Sequence, residues 1–327
     1  MKGMLIHHFQ TSPGAVHQDF DSRESSFGHF PRGCRTERGM GIDMESGIRA
    51  IDVSEVTAAI RDMCIRANCG LSKDMQDRLA EALESETSPV GKNVLQQLEK
   101  NLQIAGSEKI PICQDTGMAV VFMEVGQDVH FVGGDVNAAV NEGVRQGYTD
   151  GYLRKSVVSD PLLRKNTGDN TPAVLHVCIV PGNQVKITVA PKGFGSENMS
   201  RVCMLKPADG EEGVMDAVVQ AVKDAGPNAC PPMVVGVGIG GTFEKCAELA
   251  KQALTLNTAE HSALPHIRKM EEEILRRINQ TGLGPAGLGG RNTALSVRIL
   301  TYPTHIAGLP VGINICCHVN RHEMVIL

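Results

Sequence analysis

Ten cysteines are spread through the 327 residues, and no two of them form a C-x-x-C pair. A local zinc ribbon or ferredoxin-type knuckle is therefore excluded, and any metal centre must be assembled from distant loops. Three positions have the context for one. Cys113 lies in Ile112-Cys-Gln-Asp-Thr-Gly117, after Lys109 and Pro111 and before the apolar run Met118 to Val125. Cys230 precedes Pro231 and a second apolar run, and either Cys316 or Cys317 ends a third. Three thiolates suit an iron–sulfur cluster whose fourth iron lacks a protein ligand. Such an iron can act as a Lewis acid on a hydroxyl that must leave. Taken alone, Cys113 reads more readily as a small buried hydrophobe than as a ligand. Gln114, Asp115 and Thr116 add an amide, a carboxylate and a hydroxyl to the first loop, a concentration of polar groups that suits a rigid reactive site.

These residues need elements to hold them. Val56, Ile60, Met63, Cys64 and Ala67 recur at helical spacing and Gly70 closes the run. Ser72 is placed to cap a second helix, and Pro89 to open a third with Val94, Leu95, Leu98 and Leu102. This predicts a helical layer over residues 52–105. Met118 to Val125 and Val129 to Val132 read as strands, and Asp135 caps the helix that follows. Val174 to Val180 and Val185 to Val189 alternate at period two around Pro181-Gly-Asn183, which predicts a β-hairpin. Amphipathic helices over 213–225 and 264–279 and strands over 233–237, 294–301 and 311–316 complete the cluster-binding part, residues 106–327. Hairpins and strand–helix units together imply α+β: a helical N-terminal layer followed by a mixed α/β region whose loops converge on an iron–sulfur cluster. Adjacent strand residues face opposite ways, so only one of Cys316 and Cys317 is expected to serve the site.

Other features resolve more plainly. Gly238-Ile-Gly-Gly-Thr242 faintly resembles a dinucleotide loop, but the spacing is wrong and no acidic residue stands at the ribose distance. Arg154, Arg164 and Lys165 gather cations near Asn166-Thr-Gly-Asp-Asn-Thr171, as a solvated face or an anion pocket. Residues 1–45 are rich in Gly, Ser, His and Arg without apolar periodicity, and read as a disordered leader or an upstream extension ahead of a 46–327 catalytic domain. A net charge of −5 offers no basic field for nucleic acid or a membrane surface, and the lack of Trp removes stacking platforms for bases. No run approaches the roughly 20 apolar residues that span a bilayer. The start has no secretory core, so a cytoplasmic address with reduced or metal-bound thiols is expected.

Six blocks carry a resemblance. Ile112–Gly117, Tyr152-Leu-Arg-Lys-Ser-Val-Val158, Asn166–Pro172, Lys192-Gly-Phe-Gly-Ser-Glu-Asn-Met-Ser200, Asn228-Ala-Cys-Pro-Pro232 and Gly236–Thr242 occur in order. Together they resemble the alpha subunit of the class I (iron–sulfur) fumarate hydratase / L(+)-tartrate dehydratase family, from about residue 50 to the end. The resemblance implies a [4Fe-4S] cluster held by Cys113, Cys230 and Cys317, with Cys316 the extra thiol. It implies Gln114 and Asp115 beside the cluster, Asp115 as the acid that helps hydroxide leave, and Arg154 on a substrate carboxylate. It also implies a backbone N–H from Gly195, and His305 reaching in from the last loop. It further implies a beta subunit carrying the rest of a shared active site, a higher oligomer and a C4 dicarboxylate substrate. Reversible dehydration of (S)-malate to fumarate is the favoured reaction, because the Lys192 block resembles the fumarate hydratase one more. L(+)-tartrate dehydratase is the alternative. A non-catalytic iron–sulfur sensor or scaffold is the alternative of another class, against which Gln114, Asp115 and Arg154 count.

Overall fold

A computed structural model describes residues 47–327; the expected leader over 1–45 lies outside the described residues. The chain is α+β. Strand β1 (Arg49–Asp52) enters helix α1 (Val53–Cys69), followed by α2 (Lys73–Ser85) and α3 (Pro89–Glu108). Asp52 caps α1, accepting from Ser54, with Glu55 completing a capping box; Pro89 stands in the first turn of α3 behind its Ser88 cap. Next come β2 (Met118–Gly126), β3 (Val129–Val132) and α4 (Val136–Asp150), whose Asp135 cap accepts from Ala138 at 2.7 Å. The order continues with β4 (Val174–Val180), β5 (Val185–Lys192), the single turn α5 (Phe194–Glu197), β6 (Arg201–Leu205) and α6 (Gly210–Ala225). It ends with β7 (Met233–Gly240), α7 (Phe243–Ala253), α8 (Pro265–Asn279), β8 (Ala294–Tyr302), β9 (Leu309–Cys316) and β10 (Glu323–Ile326). Among the described residues, no helix is long and apolar enough to cross a membrane.

Two four-stranded mixed sheets carry the molecule. The first has the order β10-β5-β2-β4, the second β6-β9-β7-β8. In the first, β2 pairs parallel with β4 and antiparallel with β5. The expected hairpin is thus not formed: β2, buried along most of its length, lies between its two arms. The turn itself survives as a bridge over the end of β2, where Gly126 donates to the Gln184 carbonyl and Asp128 to that of Gly182. Inserting the most apolar strand at the centre buries both of its faces, which pairing the two arms would leave to water.

α1 and α4 cover the first sheet, closing a core of Ile60, Met63, Val121, Val144, Tyr148 and Ile187. In the second sheet, β-alternation sends Val235 and Val237 toward α6 and α8, and Val234 toward the α2–α3 layer, where it meets Met75 and Leu95. α7 lies on the sheet so closely that a Cβ at Gly236, Gly238 or Gly312 would run into its backbone carbonyls. In the glycine block before α7, Gly238 is thereby explained by helix–sheet approach, and Gly240 and Gly241 by their left-handed backbone (φ +93° and +70°).

The two sheets meet at one end. The start of β2, the end of β5, the start of β6, the start of β7 and the end of β9 all lie there, as the registers Met118↔Lys192, Arg201↔Ile313 and Val234↔Cys316 require. Lys192 joins them: buried at the end of β5, its ammonium donates to the Ile315 carbonyl of β9 at 2.9 Å and pairs with Glu197 at 3.2 Å.

Candidate active site

At this end three loops each present a cysteine. Cys113 stands half-buried between α3 and β2, and its thiol donates to the Gln114 amide oxygen at 3.3 Å. Cys230 is exposed in a left-handed conformation (φ 51°) just before β7. Cys317 is half-buried immediately after β9. Cys113 and Cys317 pack on one apolar cluster with Ile112, Leu254 and Val319. Partial desolvation of its sulfur by the surrounding protein pushes the Cys230 thiol up, and the neighbouring Cys113 pushes it further. His318 closes the triangle: its Nδ1 is 3.1 Å from the Cys230 carbonyl oxygen. Since a carbonyl only accepts, Nδ1 carries the proton. Burial holds His318 below the usual histidine range, a neutral ring that suits this role.

Cys316 and Cys317 do not separate as strand alternation requires, because Cys317 lies past the end of β9. Interaction between the two thiols, aided by the charges of Lys192, Arg321 and Lys251 and opposed by burial, holds Cys316 below the usual thiol range; the same interaction together with burial pushes Cys317 above it.

The Cys113 loop is fixed from several sides. Gly117 adopts φ +80°, and a Cβ there would come 2.7 Å from the Lys192 backbone. The Tyr148 hydroxyl, fully buried at the end of α4, lies 2.8 Å from the Thr116 carbonyl and 2.9 Å from that of Gly117. Thr116 donates to the Arg154 carbonyl at 3.1 Å, and Asn170 to that of Gly117 at 3.1 Å. The polar segment 166–171 therefore braces the loop as well as flanking it. Asp115 accepts from Gly117 N–H at 3.0 Å with one oxygen and from Phe194 N–H at 2.9 Å with the other. Its carboxylate fastens the cysteine loop to the glycine loop. To give a proton to a leaving group it would first release one of these donors.

Asp115 also borders a cleft of about 450 Å³ lined by Arg154, Arg164, Ser156, Phe194 and Asn198. The Arg154 guanidinium makes no ion pair among the described residues, and two arginines on one cleft favour an anion. Gly195 is exposed in α5 next to this cleft. His305 is elsewhere. It lies in the β8–β9 loop beyond Tyr302, which pairs with Gly240 at the far end of β7. At about 3.3 Å per residue, the length of β7 puts it about 25 Å from the cysteine end. Within one chain it does not join the other expected residues.

Sequence reasoning passed over Arg321, which is 4% exposed and donates to the carbonyls of Asp115 at 2.5 Å and Pro191 at 3.3 Å. Its only sequence signal is its place four residues after Cys317. Among the described residues, no three His, Cys, Asp or Glu side chains gather about a single metal ion. A cubane makes a different demand, one thiolate at each of three separate corners. Three free thiols on three loops that meet, beside the unmatched Arg321 cation, fit that group.

The fumarate hydratase (fumerase) family matches residues 57–326 of the chain. A putative L(+)-tartrate dehydratase subunit alpha from Methanocaldococcus jannaschii is 39% identical over 260 residues, covering 78% of this chain and 91% of that protein. The L(+)-tartrate dehydratase subunit alpha of Escherichia coli K12 is 27% identical over 278 residues, covering 84% and 91%.

Proposed function

The chain belongs to the fumarate hydratase family of hydro-lyases, and from that premise we propose that it is the cluster-bearing alpha subunit of an iron–sulfur dehydratase acting on a C4 hydroxy-dicarboxylate. The observation that carries this reading is that Cys113 and Cys317 pack on one apolar cluster, with Cys230 beside Cys113 and tied to His318, at the end of the sheets that bears an arginine-lined cleft. Those three thiolates hold a [4Fe-4S] cluster. When bound, the cluster supplies a Lewis-acidic iron for the hydroxyl that leaves.

The chain's own groups do the rest. Arg154 takes a substrate carboxylate through paired N–H donors, with Arg164 adding charge on the same cleft. Gln114 and the Gly195 N–H orient the substrate. Asp115 holds the two loops in register; once the Phe194 or Gly117 N–H lets go of one oxygen and that oxygen takes up a proton from solvent, Asp115 passes the proton to the departing hydroxide, leaving water and the carboxylate. His305 takes part only where another copy of the chain presents it. No residue here is assigned as the base that removes the C–H proton. We place that base on a beta subunit, which the alpha-subunit names of the relatives support.

Two substrates compete. The Lys192–Ser200 block favours (S)-malate and fumarate. The names of the relatives favour L(+)-tartrate at least as strongly. The test is anaerobic reconstitution of the chain with ferrous iron and sulfide, with and without a beta subunit, assayed on malate, fumarate and L(+)-tartrate. Dehydration of one of the hydroxy acids by the complex supports the reading. A fully loaded complex inert toward all three contradicts it.

A further inference from the structure

Three basic side chains are buried among the described residues: Lys192, Arg298 and Arg321. Lys192 has Glu197 at 3.2 Å and Arg298 has Glu271 at 3.3 Å. Arg321 has no carboxylate. It has the Pro191 and Asp115 carbonyls, and its Nη1 is buried with no partner at all. A buried charge without a counterion is costly, and so is a buried donor without an acceptor. Both costs disappear if an anion with acceptor atoms stands beside Nη1.

The substrate does not supply that anion, because Arg154 and Arg164 line the cleft and Arg321 does not. Its two carbonyl bonds instead hold the guanidinium behind the Cys113 loop, on the backbone turn that follows Cys317. Its charge reaches the thiols of Cys316 and Cys317. A cubane carried by three thiolates is net anionic, and its sulfur atoms accept N–H donors.

We infer that Arg321 is the counter-charge of the centre held by Cys113, Cys230 and Cys317, donating from Nη1 to its sulfur while fastening the Asp115 and Pro191 backbones around it. The inference rests on the iron–sulfur reading above. It makes Arg321 a positioning residue that tunes the centre without touching the reacting atoms.

The test uses the full chain, reconstituted anaerobically, as wild type, Arg321→Lys and Arg321→Gln. Two quantities are read: the rate of iron loss to a chelator and the reduction midpoint of the cluster followed by electron paramagnetic resonance. Lysine keeps the charge and loses the fork; glutamine loses the charge and can still satisfy one carbonyl. We expect iron loss about tenfold faster in both variants. The midpoint should move to more negative values in Arg321→Gln and stay near wild type in Arg321→Lys. An unchanged midpoint in Arg321→Gln overturns the inference, as does a wild-type rate of iron loss in both variants. A variant normal in both quantities whose only defect is a raised KM, read after the beta subunit is added, also overturns it, assigning Arg321 to the substrate. Should the wild-type chain itself take up no cluster, the iron–sulfur reading falls and carries this inference with it, an outcome distinct from the other three.

Discussion

Both oxygens of Asp115 are engaged by backbone donors from two different loops, so this residue holds geometry before it does chemistry. Asp115→Asn keeps the volume but turns an NH2 group toward one of those donors. We expect a stability loss of about 1–3 kcal/mol, measured as a lower denaturant midpoint, together with slower turnover. Lost turnover at an unchanged midpoint would make Asp115 a proton donor alone. Arg154 stands the other way, exposed on the cleft with its guanidinium uncommitted. Arg154→Lys should leave the cluster intact and cost about 2–4 kcal/mol in kcat/KM, the range for losing a charge-assisted fork; wild-type kinetics in the complex would remove it from the site. Cys113, Asp115 and Arg154 were legible as residue types crowded into short loops. Arg321 and Lys192 were not, because their partners are carbonyls on strands more than a hundred residues away. A single buried cation leaves no periodic trace in a sequence.

At the scale of elements, helices were read well because burial on one face imprints a 3.6-residue period: Val56, Ile60 and Met63 do line the core under α1. Strand existence was legible too, but pairing was not. The alternation of Val174 to Val180 and Val185 to Val189 says that each is half-buried; it cannot say that β2 lies between them. The same blindness hid the place of His305, since a loop's sequence does not say which end of a sheet it crosses. One junction between elements was also invisible. Glu86, buried after α2, accepts from the backbones of Ser88, Arg291 and Asn292 and so ties the α2–α3 corner to the glycine-rich connection before β8. Burial opposes its charge, but these donors and the Asn292 amide outweigh it and hold the carboxyl down at about 2. A depressed folded value stabilises the protein above the unfolded one, about 4.3, and that contribution fades as pH falls toward 2. Glu86→Gln should therefore unfold more easily than wild type at neutral pH, by about 1–3 kcal/mol, with the gap closing in acid. A gap that stays constant from pH 7 to pH 3 would show that the charge is not what matters.

For the whole molecule, the two sheets are joined at the end whose loops carry Cys113, Cys230 and Cys317. The cleft is lined from this chain by Arg154, Arg164, Asp115, Ser156 and Asn198 among apolar groups, and none of them is assigned as the base that removes the C–H proton, which is why we expect the isolated, cluster-loaded chain to turn over hardly at all. Adding the beta subunit should restore turnover, and the ratio of malate to L(+)-tartrate dehydration then decides between the two substrates. Substantial fumarate hydration by this chain alone would overturn the shared site. The central claim is narrower: one cluster on Cys113, Cys230 and Cys317. It is tested most directly by iron and sulfide content after anaerobic reconstitution of the wild type and of the Cys→Ser variants at 113, 230 and 317, with Cys64→Ser and Cys246→Ser as controls in the core. We expect about four irons and four sulfides per chain in the wild type and both controls, and loss of the visible cluster absorbance in each of the three variants. Full cluster retention in Cys230→Ser would contradict the account.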